Sequence, residues 1–230
     1  MKTSNKLLLG IFLTILVLTT TVQLMVYAKY KRGEFTAFKR EEFIQMTSLP
    51  IPAARYISLK GFGSCRVWPF PSLKLDVQKD NASFVKYHVV NDTLVITGSS
   101  NDPDDRIENN IPLTIYLPAS VQLIGTNCTF WVLGTDDSTA APSYNISIKN
   151  SYLAINFIDA GKATEYIKQL NINSVSSMID LNNHAVINDL NLQFTESKLS
   201  DKSATIRKLT MEFDDKSSID LSGKNANALK

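Results

Sequence analysis

Between Tyr144 and Gly223 a short two-strand phrase recurs about every twenty residues. It reads Tyr144-Asn-Ile-Ser-Ile-Lys-Asn-Ser-Tyr-Leu-Ala-Ile-Asn-Phe157, then Leu170-Asn-Ile-Asn-Ser-Val-Ser-Ser-Met-Ile-Asp-Leu181. Leu190-Asn-Leu-Gln-Phe-Thr-Glu-Ser-Lys-Leu199 and Leu209-Thr-Met-Glu-Phe-Asp-Asp-Lys-Ser-Ser-Ile-Asp-Leu221 follow. The leading apolar residues Ile146, Leu170, Leu190 and Leu209 are spaced by 24, 20 and 19. Apolar and polar residues alternate after each lead, as at Leu170/Ile172, Leu190/Leu192/Phe194 and Leu209/Met211/Phe213. A period of two means a strand with one buried face. Nine or ten residues after each lead comes a second apolar position, at Ile155, Ile179, Leu199 and Ile219, and the last three of these are 20 apart. Leu123 with Val132 fits the same offset.

One such unit cannot bury its apolar face, whereas stacked units can, because equivalent residues fall into columns and each strand pairs with the one above it. A period near twenty is the size of one coil of a β-solenoid. A leucine-rich repeat would need Asn or Cys at a fixed offset and a helical return, and neither is present. A meander of antiparallel hairpins is the plainer competitor. It calls for Asn-Gly or Asp-Gly turns, which this segment does not contain, although longer loops would also serve.

Upstream, Tyr56-Ile-Ser-Leu59, Ser64-Cys-Arg-Val-Trp68, Leu73-Lys-Leu-Asp-Val77, Tyr87-His-Val-Val90, Thr93-Leu-Val-Ile96 and Leu113-Thr-Ile-Tyr-Leu117 also read as strands. Asn91-Asp92 supplies a tight turn between two of them, and Pro118 stops the last. The expected fold is all-β: a single-domain parallel β-helix, or β-solenoid, preceded by a transmembrane helix.

That helix is read from the N-terminus. Residues 1–6 form a short basic flank, and residues 7–28 are an uncharged run of twenty-two. At ~1.5 Å per residue such a helix spans a hydrocarbon core of about 30 Å. Its threonines (Thr14, Thr19, Thr20, Thr21) can return their hydroxyls to backbone carbonyls. Lys29-Tyr-Lys-Arg32 closes the run with an aromatic and three cations, the flank of a stop-transfer anchor. Val26-Tyr-Ala28 would serve as the cleavage site if the run were instead a signal sequence. Basic residues on both flanks leave orientation open. A juxtamembrane tether is expected over 29–54, mixed in character at Phe35–Ile44 and extended at Leu49-Pro-Ile-Pro. The β domain is expected over 55–223, and a disordered tail over 224–230.

Charge follows the same division. The formal net charge is +2, but five basic and no acidic residues lie in the first 33 positions. From Glu34 onward 19 basic residues face 22 acidic ones, a net −3. The β domain carries no excess positive charge to neutralise phosphates, so nucleic acid is not an expected partner.

The strand phrases resemble a known family. Arg55-Tyr-Ile-Ser-Leu-Lys-Gly-Phe-Gly-Ser-Cys-Arg-Val67, Leu73–Val77, Asn91-Asp-Thr-Leu-Val-Ile96 and Ile111-Pro-Leu-Thr-Ile-Tyr-Leu-Pro118 run in the order of the head GIN domain proteins. Those bacterial proteins, mainly of Bacteroidetes type, are called "putative auto-transporter adhesins". The resemblance spans about Arg55 to Gly223. It implies a cell-envelope β-solenoid with no established catalytic residues. This chain's repeats are richer in Asn and bulky residues than the Gly- and Ser-rich repeats common in that family.

Each candidate for chemistry has a plainer reading. Cys65 and Cys128, the two cysteines, are either a disulfide of an exported domain or two thiols in the core, and no zinc-ligand spacing surrounds them. His88 and His184 read as strand and turn residues. Asn101–Asn110 is densely acidic, but Pro103 interrupts it and the glycine of a calcium loop is missing, so it reads as a solvated loop. Asp180, Ser200 and Asp220 share one repeat position. Two carboxylates two coils apart would stand roughly 9–10 Å from one another, at or beyond the upper end for an inverting glycosidase; the plainer reading is an outward polar column. Asp136-Asp137 and Asp214-Asp215 read as turns. Trp68, Tyr87, Phe130 and Trp131 are the residues from which a sugar-stacking face could be built, with core or cap packing as the competitor. Phe130 and Trp131 must point to opposite faces of their strand. Sequons at Asn81, Asn91, Asn127 and Asn145 are expected by chance in an Asn-rich chain.

No catalytic, cofactor or metal residue is assigned. The expected function is a non-enzymatic, membrane-anchored binding or structural module of the cell envelope. It would sit at the bacterial inner membrane with its β domain extracytoplasmic, and bind an envelope polysaccharide or protein along columns of outward Asn, Ser, Thr and Lys. Secretion after cleavage at Ala28 is the alternative placement. The alternative functions are a β-helix polysaccharide lyase or hydrolase using Asp180, Asp220 or the Asp102–Glu108 loop, and a self-associating scaffold.

Overall fold

The computed structural model describes residues 3–32, 45–98, 112–155, 164–182, 184–202 and 204–226. The Phe35–Ile44 stretch, the Asn101–Asn110 loop and residues 227–230 lie outside them. The chain forms two units, Met1–Phe43 and Ile44–Lys230.

In the first unit, α1 (Thr3–Lys31) has its apolar side chains exposed along its length. The Thr14, Thr20 and Thr21 hydroxyls donate to the carbonyls of Gly10, Leu16 and Val17 four residues back, and Thr19 to those of Ile15 and Leu16, at 2.7–3.0 Å. That hides the hydroxyls' polarity within the helix. Leu8–Lys31 has a mean hydropathy of 2.1, long and apolar enough to cross a membrane. A membrane anchor and a signal sequence both have this form.

The second unit is built from two sheets. One has the order β1-β4-β7-β3-β9-β11-β13-β15-β17, the other β16-β14-β12-β10-β8-β2-β6-β5; we call them sheet A and sheet B. From β8 (Gln122–Thr126) and β9 (Thr129–Val132) onward, each coil places one strand in each sheet, parallel to its neighbours. The succeeding pairs are β10 (Ser143–Lys149) with β11 (Tyr152–Ile155), β12 (Glu165–Val175) with β13 (Met178–Leu181), β14 (Ala185–Thr195) with β15 (Lys198–Asp201), and β16 (Thr205–Phe213) with β17 (Ser218–Asp220). The repeats do stack. The architecture is a β-solenoid.

Register then fixes which residues share a column. Ile179, Leu199 and Ile219 lie in one file, preceded by Leu153, Phe130 and Cys65. Ile155 belongs to the next file, with Val132 and Leu181. Among the leads, Leu170, Leu190 and Leu209 align, but their partner in β10 is Tyr144, and Ile146 sits instead with Leu123, Ile172, Leu192 and Met211. Spacing alone placed Ile146 and Ile155 two residues out. A period-two strand gives the same face at either offset, and a shift of two leaves every side chain on its side of the sheet.

The N-terminal coils are not in sequence order. β2 (Tyr56–Lys60) and β3 (Ser64–Pro69) stack directly on β8 and β9. The later strands β6 (Thr93–Gly98) and β7 (Pro112–Leu117) stack on the far side of β2 and β3. Beyond them lie antiparallel strands: β5 (Val85–Val90) on β6, β4 (Lys74–Gln78) on β7, and β1 (Met46–Leu49) on β4. The β5–β6 turn is the expected Asn91-Asp92, both at positive φ (47° and 60°), the backbone a two-residue hairpin requires. Two boundaries need correction. Residues 46–49 of the expected tether form a strand of sheet A. The expected disordered tail begins as a short helix, α2 (Gly223–Ala226), whose Asn225 is fully buried.

In five coils the turn between the two strands is the same device repeated. Gly61, Asn127, Asn150, Ser176 and Glu196 all have positive φ, between 48° and 76°. The next residue, from Cys128 through Ser151, Ser177 and Ser197 to Ser217, forms an inward polar file. The N–H groups of Cys128, Ser151, Ser177 and Ser197 each donate to the serine hydroxyl one coil on, at 3.0–3.2 Å. Ser151, Ser177 and Ser197 return their own hydroxyls to the carbonyl two residues back, at 2.7–2.9 Å. Buried backbone donors at each turn are thus satisfied without water.

Candidate functional site

Outward positions of sheet B carry amides in register. Gln122, Asn145, Asn171, Asn191 and Thr210 form one column across β8, β10, β12, β14 and β16. Two residues along, Ser147, Asn173, Gln193 and Glu212 form a second. The columns line a shallow groove of about 390 Å³. With strands about 4.8 Å apart, five of them span roughly 19 Å.

The middle of the first column is tied together. Asn171 Nδ2 donates to Asn145 Oδ1 at 2.6 Å, and Asn191 Nδ2 to Asn171 Oδ1 at 2.8 Å. Gln122 Nε2 donates to Ser147 Oγ at 2.9 Å, linking the columns. Such bonds hold the amides in one orientation and reduce the rotamer entropy lost when a ligand docks. Glu212 is the single charged residue of the lining. The groove therefore offers paired donors and acceptors at a fixed repeat, suited to an extended, hydroxyl- or amide-bearing chain. The lysines expected in such a ladder do not line it.

The outward face of sheet A behaves differently. Asp180, Ser200 and Asp220 are in register, as the repeat implied. Yet Asp180 is only 3% exposed, and its Oδ2 accepts from the Tyr152 hydroxyl at 2.7 Å and from Lys202 Nζ at 2.5 Å. Burial, then the Asp180 bond and charge, push the Tyr152 phenol far above its ordinary range. Asp220 is exposed on the last strand. One carboxylate is locked in an ion pair and the other stands in solvent, so they make no matched acid–base pair.

The four aromatics do not share a face. Phe130 is in the core, and Trp68 and Trp131 point outward from sheet A, Trp131 edge-on to Tyr152 at 5.7 Å. Tyr87 lies on β5 of sheet B and donates its hydroxyl to the Pro50 carbonyl at 2.7 Å. Cys65 and Cys128 are both buried as free thiols. Burial raises both pKa values, and the Cys128 sulfur adds to the rise at Cys65. Cys128 takes the serine's place in the first turn of the polar file, its Sγ donating to the Thr126 carbonyl at 3.3 Å.

His88 is exposed on β5 and His184 sits in the turn before β14. Asp137 and Asp214 are turn residues as expected: Asp137 accepts from Thr139 N at 2.8 Å, and Asp214 from Glu196 N and the Ser217 hydroxyl. Among the described residues no group of three His, Cys, Asp or Glu could hold a metal ion.

Another buried acid went unnoticed in the sequence. Glu165, at the start of β12, accepts from Gly134 N at 2.8 Å, and burial raises its pKa. Gly134 is obligatory there, because a Cβ would stand 2.6 Å from the Tyr166 carbonyl oxygen. Tyr144 beside it donates to the Leu133 carbonyl at 2.7 Å and is held neutral by burial and by Glu165.

No family model and no curated protein matches the chain. The chain is similar to several solved structures. One is a "putative adhesin" from Parabacteroides distasonis, at TM-score 0.46 and 11% identity, covering 76% of this chain and 72% of that one. A "putative lipid binding protein" from the same organism has TM-score 0.35 and 12% identity, covering 74% and 78%. A "putative cell adhesion protein" from Clostridium sporogenes has TM-score 0.33 and 10% identity, covering 74% and 100%.

Proposed function

We propose that this chain is a non-enzymatic binding and structural module of a bacterial cell envelope, with an adhesin-like role of the head GIN kind. In this reading α1 anchors it in the cytoplasmic membrane and the solenoid stands on the extracytoplasmic side. The amide groove of sheet B is the face along which an envelope polysaccharide or a protein partner lies. The observation that carries the reading is the in-register outward column Gln122–Asn145–Asn171–Asn191–Thr210, whose three asparagines are hydrogen-bonded to one another in series. The core does not need these amides, since inward positions supply the buried surface. Locking of Asp180 by Tyr152 and Lys202 speaks against the lyase or hydrolase built on that carboxylate.

Glycan-array binding and pull-down by the full chain in detergent test the reading. Asn171→Leu with Asn191→Leu should abolish binding while the far-UV circular dichroism stays unchanged. Undiminished binding by that folded variant sinks the proposal. Mass spectrometry of the N-terminus of the exported protein checks the anchor, since an N-terminus at Lys29 means cleavage after Ala28 and a secreted form.

A further inference from the structure

β16 and β17 end their sheets, and among the described residues no strand pairs with their outer edges. Burial collapses there along otherwise closed files. Phe194 is 4% exposed, but Phe213, its partner in the last coil, is 58% exposed, and Met211 and Ile219 are only partly buried. α2 closes just the start of β16: Asn225 Oδ1 accepts from Ile206 N at 3.1 Å, and Lys224 Nζ reaches Thr205 Oγ1 at 2.8 Å. Asp201 holds α2 in place by accepting from Ser222 and Asn225. Among the described residues nothing pairs with the edge from Lys208 to Phe213, and an open, apolar strand edge is a template for another strand.

We propose that this edge is a two-fold interface, at which β16 pairs antiparallel with β16 of a second copy of this chain, centred on Thr210. The register follows from the side chains. Odd registers set inward residues against outward ones and are excluded by the alternation. Centring on Leu209 would require pairing at Thr205 and Ile206, which α2 already covers. Centring on Met211 would set Lys208 against Asp214, whose carboxylate already accepts from Glu196 N and the Ser217 hydroxyl. Centring on Thr210 places Lys208 opposite Glu212 twice and Leu209 opposite Met211 twice. Glu212 has no ion pair among the described residues, so the register supplies its missing cation. Lys208 has a companion at only 3.8 Å, Asp189, with both side chains about half exposed. A two-fold axis normal to sheet B keeps outward faces outward. It also joins the two amide grooves end to end, with Thr210 and Glu212 in the middle rather than at a margin. That last consequence rests on the groove being the binding face, but the interface does not.

Sedimentation of the full chain in detergent, with site-directed cross-linking, tests the interface. Thr210→Cys sits on the axis and should form an intermolecular disulfide under mild oxidation, whereas Asn191→Cys, one strand further in, should not. Lys208→Glu and Glu212→Lys should each weaken the dimer by about 100-fold or more, because each creates two like-charge contacts. The double variant Lys208→Glu/Glu212→Lys should restore it. A monomer at every concentration overturns the proposal. A dimer untouched by the single swaps, or unrecovered in the double variant, also overturns it. A dimeric wild-type chain that binds no glycan counts against the groove alone.

Discussion

The two halves of the solenoid solve one problem by different means. In the C-terminal half the coils from β10 to β15 repeat one another: one strand in sheet B, a left-handed turn residue, a serine, and one strand in sheet A. In the N-terminal half the chain builds β2 and β3, runs outward to β4 and β5, comes back through β6 and β7, and then crosses to β8. The outermost strands there are antiparallel, so the stack ends in strands that do not continue the repeat. The difference shows that stacking needs matched columns but not matched chain order. A rung is stabilised by whichever apolar strands lie above and below it, wherever they fall in sequence.

The largest effect should come from the middle of the regular half. Leu190 is fully buried between Leu170 and Leu209, and Leu190→Ala should cost about 2–5 kcal/mol in urea denaturation. Met211→Ala, on the open last rung, should cost less than about 1 kcal/mol. Equal losses would mean that the last rung is packed as tightly as the middle of the stack.

The junction coil should come next. A Cβ at Gly125 would run into the Phe130 ring, which fills the room that Ile148 and Leu59 occupy in adjacent coils. Gly125→Ala should cost about 1–3 kcal/mol by overpacking, and adding Phe130→Leu should recover part of it.

The polar file separates the halves more finely. Ser197→Ala strips partners from Ser177 N and Ser174 Oγ and should cost about 1–3 kcal/mol. Cys128→Ser replaces one donor to the Thr126 carbonyl with another and should change stability by less than about 1 kcal/mol.

The smallest test is of pH. Burial raises the Glu165 pKa, so the unfolded chain releases this proton first as pH rises. This acid's contribution should therefore fall from the ordinary glutamate range up through its raised value, then level off. Glu165→Gln keeps an acceptor for Gly134 N and should flatten that decline in urea melts across pH.

Much of this was legible in the residues. Alternation located nearly every strand, because a strand half buried in a core must alternate. The file Ile179–Leu199–Ile219 could be read from a spacing of 20, since coils of equal length repeat their register. The turn serines were equally visible, as Asn150-Ser151, Ser176-Ser177, Glu196-Ser197 and Lys216-Ser217, but serine in a turn has so many ordinary uses that the repetition carried no weight. The binding face was only half legible: outward amides were foreseen, but which sheet would present them as a groove was not. Asp180 and Asp220 could be placed in one column but not told apart, because burial of one and exposure of the other depend on neighbours from other coils.

By itself, then, the sequence determined that the chain is all-β, that its C-terminal coils stack, and that an apolar helix stands at its start. These are consequences of periodicity and length, which act locally. Only the tertiary structure decided that β6 and β7 lie outside β2 and β3, that Tyr144 rather than Ile146 leads its column, and that Asp201 fastens α2 across the last coil. Each depends on which strand edges and side chains meet across the stack. A strand's own pattern fixes which of its faces is buried, and leaves open which neighbour buries it.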